Sequence, residues 1–109
     1  MKYFFHLPGF LLFILLSASQ PCLSQDTCII KTKYGENFKA GRFAKVNGIR
    51  MYYETYGDLS KQPLLLIHGN GGSIYAERCQ IEYFRDKYYI IVADSRFHGK
   101  TENGSETLT

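Results

Sequence analysis

His68 is followed by Gly69, Asn70, Gly71 and Gly72, a run that offers backbone N–H groups with almost no side chain in front of them. Such a run suits an anion, either a phosphate or a carbonyl oxygen that gains negative charge as its carbon is attacked. The phosphate option fails on spacing. HGNGGS is neither G-x-G-x-x-G nor G-x-x-x-x-G-K-[ST], and Asp94 is the only acidic residue placed to meet a ribose. A second polar stretch, DSRFHGKT at residues 94–101, holds Asp94, Arg96 and His98. His6, His68 and His98 lack metal-ligand spacing with one another or with the cysteines, so no metal is expected, and no organic cofactor is implied.

Nucleophilic hydrolysis would need more than a charge-stabilising turn. It needs a serine, cysteine or aspartate on a strained strand-to-helix turn of the G-x-S-x-G kind, with an acid and a histidine behind it. Ser73, Ser95 and Ser105 lack the flanking glycines and the preceding strand. The sequence therefore carries a candidate anion site and no nucleophile to serve it, and no catalytic residue is assigned.

The elements that must position these stretches are legible around them. FAKV and IRMYYETY are β-favouring runs on either side of Asn47-Gly48, the dipeptide that best tolerates the positive φ of a two-residue type I′ turn. This predicts a β-hairpin over residues 43–46 and 49–56. DLSKQP follows as a solvated turn punctuated by Asp58, Ser60 and Pro63. LLLIH is a continuous apolar run, the pattern of a strand covered on both faces in a parallel sheet. Residues 73–87, with apolar positions at Ile74, Ile81, Tyr83 and Phe84, predict a helix, and residues 88–94 predict a second buried strand. Hairpin, strand, helix, strand is the opening of an α/β sheet with a right-handed crossover. Both glycine-bearing loops then fall at the carboxyl ends of parallel strands, where open α/β sheets place ligands.

The first 24 residues stand apart. Lys2, an apolar segment centred on residues 10–16, and small residues before two candidate cleavage points read as a secretory signal peptide. Export is thus expected, with a membrane link only through this segment if it stays uncleaved. Its removal takes Lys2, one of 13 basic residues, and none of the 10 acidic ones, and leaves a net charge of +2. The basic residues are scattered and follow no nucleic-acid motif, so nucleic acid is not an expected partner. Cys22 departs with the signal, and Cys28 and Cys79 remain as the one possible mature pair, whose bonding the sequence leaves open. Residues 25–43 read as an irregular lead-in and 44–109 as the domain.

Three elements in order carry a resemblance. VNGIRMYYETYG is similar to the common N-terminal hairpin of the α/β-hydrolase superfamily, HGNGG to its H-G-x-G turn, and DSRFHGKT to the D-x-R-G-x-G-x-S element after the next strand. Together they span most of residues 44–101. The resemblance implies the N-terminal portion of an α/β-hydrolase sheet, a β-hairpin followed by β-α-β with parallel strands, incomplete at 109 residues. It implies that the Asn70 N–H is an oxyanion donor, that Gly69, Gly71 and Gly72 shape the turn, and that His68 braces it. Asp94, Arg96, His98 and Gly99 would be structural residues of the second loop. His98 is not the expected base, because the superfamily's catalytic histidine follows the nucleophile. Phe97 stands where glycine is common, which leaves the loop's conformation open.

The nucleophile, acid and base implied by the resemblance would all follow Thr109. The chain is accordingly expected to be an inactive N-terminal piece of a longer exported hydrolase acting on an ester-like or amide-like small molecule. Four strands and one helix would leave an open sheet edge and an uncovered face. The alternative expectation is a small exported binding or structural domain without catalysis, in which HGNGG is only a tight turn.

Overall fold

The computed structural model describes residues 28–105. The predicted signal peptide and its cleavage site lie outside them. The hairpin forms from β1 (Gly41–Val46) and β2 (Ile49–Tyr56), which pair antiparallel from Gly41 opposite Glu54 to Val46 opposite Ile49. Asn47 and Gly48 between them have φ of 48° and 78°, as a type I′ turn demands. The chain then runs through a turn in which the Asp58 carboxylate accepts the Ser60 N–H and hydroxyl, each at 2.8 Å. Those bonds hold the Asp58 carboxyl below its ordinary range.

β3 (Pro63–Ile67) and β4 (Tyr89–Ala93) pair parallel, Leu64 opposite Ile90 and Ile67 opposite Ala93. β4 also pairs antiparallel with β2, giving one four-stranded sheet in the order β1-β2-β4-β3. The helix in the crossover from β3 to β4 is shorter than its sequence suggested. Instead of one helix over 73–87, Ile74–Glu77 forms a 3₁₀ turn and α1 covers only Arg78–Phe84. Ile74 and Ile81 are fully buried, whereas Tyr83 points outward.

One face of the sheet is packed. Tyr52, Tyr56, Ile90 and Val92 from the sheet meet Ile74 and Ile81 from the crossover and Tyr34 from the lead-in. Four of these are isoleucine or valine with no exposed surface, and burial of each contributes about 1.5–3 kcal/mol. The lead-in is therefore part of the core, although its sequence has no periodicity. Its near end is bonded to α1 through a Cys28–Cys79 disulfide, with Cα atoms 5.6 Å apart.

The other face corrects the reading of LLLIH as covered on both sides. Along β3 the exposure alternates: Leu64 and Leu66 turn toward the core, while Leu65 and Ile67 are 57% and 69% exposed. Lead-in and helix both pack on the side of Leu64 and Leu66, and neither covers Leu65 or Ile67. β3 is also an edge strand.

Candidate functional site: two loops at the strand ends

The first loop leaves β3 at His68, which is buried. Its Nδ1 lies 2.8 Å from the Gly69 carbonyl and its Nε2 accepts the Ser95 N–H at 3.0 Å. A side chain on the first loop thereby holds the backbone of the second. Residues 69–72 form a β-turn closed by the Gly72 N–H on the Gly69 carbonyl at 3.0 Å. Gly71, third in this turn, has φ of 76°, the positive value a type II turn requires there. Gly72 sits tightly: a Cβ on it would come within 3.1 Å of the Gly69 carbonyl and 3.2 Å of His68 Nδ1, so a larger residue needs a small local shift. At Gly69 a Cβ would meet nothing within 4 Å, so the surface there lies open.

Asn70, second in the turn, is exposed. The two residues after it spend their N–H groups internally, Gly71 on His98 Nε2 at 2.9 Å and Gly72 on the Gly69 carbonyl. The Asn70 N–H is bonded to none of the described residues.

The second loop is anchored by Asp94, 1% exposed. Its Oδ1 accepts the Ile74 N–H at 2.8 Å and its Oδ2 the Lys100 N–H at 2.9 Å. Its own N–H donates to the Tyr52 carbonyl at 3.0 Å. One side chain thus joins the start of the crossover, the second loop and the sheet. Gly99 packs so closely on the Asp94 carboxylate that no larger residue fits. Thr101 completes the anchor: its hydroxyl donates to the Asp94 carbonyl at 2.6 Å and accepts the Tyr52 N–H at 2.9 Å. The sequence reading had not given Thr101 a role, although it occupies the final serine position of D-x-R-G-x-G-x-S.

Phe97 keeps the backbone shape that glycine would take. It has φ of 66° in a turn closed by the His98 N–H on the Ser95 carbonyl at 3.0 Å. A side chain held there costs about 1–2 kcal/mol. The Arg96 carbonyl lies 2.9 Å from His98 Nδ1, and the two histidine rings are 5.1 Å apart.

Glu54, fully buried in β2, is the largest feature that the sequence reading missed. Its carboxylate accepts the N–H groups of Gly35 and Asn37, both at 2.9 Å, and the hydroxyls of Tyr52 and Tyr56 at 2.8 and 2.7 Å. Burial first, and then the bond to Glu54, push both phenols well above the ordinary tyrosine range. Lys100 Nζ reaches the Gly35 carbonyl, so the lead-in and the second loop are linked. A groove of about 510 Å³ runs between them, bordered by Gly35, Ser73, Tyr75 and Lys100.

No protein-family model matches the chain. Over 57 residues it is 39% identical to the uncharacterized hydrolase YugF of Bacillus subtilis, covering 52% of this chain and 21% of that protein. Human epoxide hydrolase 4 is 33% identical over 58 residues, 53% of this chain and 16% of the relative. Among solved structures, the epoxide hydrolase VrEH1 of Vigna radiata superposes with a TM-score of 0.56 at 30% identity, over 61% of this chain and 21% of the other. The chain spans about a fifth of the length of the curated relatives it matches.

Proposed function

Because this chain carries the N-terminal strands and loops of the α/β-hydrolase fold, we propose that its glycine turn supplies one donor of an oxyanion hole, through the Asn70 N–H. The state of the turn's donors is the observation that supports this. Gly71 and Gly72 have committed their N–H groups, while the Asn70 N–H, on an exposed residue beside the open surface at Gly69, is bonded to none of the described residues. A donor held in that way is oriented before any substrate arrives, which is what makes it effective on a developing oxyanion.

The whole protein is then a hydrolase of small molecules, using a nucleophile, acid and base supplied by chain beyond this sheet. The relatives' names point to small substrates, epoxides among them, and an ester-like or amide-like carbonyl is the group an oxyanion hole serves. Residues 1–109 alone are inactive on this reading, because they hold no nucleophile elbow. The protein is exported: the Cys28–Cys79 disulfide suits an oxidising compartment and agrees with the apolar N-terminal segment.

Asn70→Pro tests the donor. Proline is favoured at the second position of a type II turn and has no N–H to donate. In a longer chain that bears the nucleophile, kcat on a small activated ester is expected to fall about 10²–10³-fold with the fold intact. An unchanged kcat would sink the assignment. The 109-residue chain itself should give no turnover above background, and turnover blocked by a serine-directed inhibitor would refute its inactivity.

A further inference from the structure

His98 bears on how the turn keeps its shape. Types I and II differ mainly in ψ of the second residue and φ of the third, by about 150–170°, so the peptide between them has two orientations. With glycine at the third position neither orientation is costly. Something outside the turn must choose between them, and the bonding pattern identifies what does.

A carbonyl oxygen can only accept, so the contact from the Arg96 carbonyl places a hydrogen on His98 Nδ1. Nε2 then carries a lone pair, and the Gly71 N–H donates to it at 2.9 Å. The same logic puts the hydrogen of His68 on Nδ1, toward the Gly69 carbonyl, and leaves its Nε2 to accept the Ser95 N–H. The two histidines are reciprocal. Each stands on one loop and holds a backbone N–H of the other.

We propose that His98 is a positioning residue for the oxyanion turn. By accepting the Gly71 N–H it fixes the Asn70–Gly71 peptide in the type II orientation and keeps that N–H away from the Asn70 side of the turn, while His68 fastens the second loop in return. The proposal rests on the oxyanion reading for its purpose, but not for its test.

Amide hydrogen exchange and histidine ¹⁵N spectra of the full chain measure it without any substrate. Both imidazoles should show the Nδ1–H tautomer. His98→Ala should speed exchange at Gly71 about tenfold, the equivalent of one net hydrogen bond, while Ser95, held by His68, keeps its rate. His98→Gln, whose amide oxygen can take the same N–H, should restore Gly71. Unchanged exchange at Gly71 in His98→Ala would overturn the proposal, as would equal acceleration at Ser95 and through β4, which marks general loosening. If His98→Ala does not fold, the wild-type spectrum still decides: an Nε2–H tautomer at His98 refutes the bond. Gly71 exchange does not depend on whether Asn70 ever meets an oxyanion, so this proposal and the oxyanion reading fail separately.

Discussion

Two buried carboxylates organise this chain, and they are satisfied in different ways. Glu54 takes four donors, two of them backbone N–H groups of the lead-in and two of them tyrosine hydroxyls on its own strand. Asp94 takes two backbone N–H groups from opposite sides and leaves the rest of the joining to its own main chain and to Thr101. Glu54 is the hub of a side-chain network, whose members lose their partner together. Asp94 is a brace between backbones, each of which has other support nearby. The difference teaches where the fold is vulnerable: at the lead-in more than at the loops that hold the candidate site.

Substitution can break this contrast or sharpen it. Glu54→Ala takes the acceptor from two buried phenols and two half-buried N–H groups, and should lower unfolding free energy by about 4–5 kcal/mol in a urea titration. A loss under 1 kcal/mol would mean that the network is not the hub described. Asp94→Asn keeps one acceptor and turns an NH₂ toward a backbone donor. It should cost about 2–3 kcal/mol, with the fastest hydrogen exchange at Ile74 and Lys100. If it costs more than Glu54→Ala, the ranking of the two regions is reversed. Phe97→Asn is the smallest change. Asparagine accepts a left-handed backbone more readily, so thermal unfolding should shift upward by the equivalent of about 0.5–1 kcal/mol. A comparable loss instead would show that packing of the ring outweighs its backbone strain.

Legibility in the sequence followed the same division. Asn47-Gly48, the two apolar strands and the motif loops could be read because turn chemistry, hydrophobic runs and spacing are local signals. The site residues of both loops lie at the strand ends where the topology put them. The lead-in escaped because Tyr34 reaches the core from an aperiodic segment, and because a glutamate at an alternating strand position looks like a solvent-facing residue until its donors are known. The helix came out short because a 3₁₀ turn, its first N–H at Ile74 taken by Asp94, occupies Ile74–Glu77 and the α-helix begins only at Arg78. LLLIH showed its strand but not its two environments. Four apolar residues in a row hide an alternation that only the placement of the lead-in and α1 reveals.

The disulfide adds a dimension of time. Cys28 is made 51 residues before Cys79, a stretch of about 170 Å if fully extended. At 5–20 residues per second its partner arrives about 3–10 s later. Through that interval Cys28 is an unpaired thiol on a segment whose other anchors, Glu54 and the crossover, are still being synthesised. The cross-link can close only after the hairpin, β3 and the start of α1 through Cys79 have emerged. An oxidised Cys28–Cys79 pair in a newly made chain is therefore a timestamp, marking molecules in which the lead-in has already found the helix.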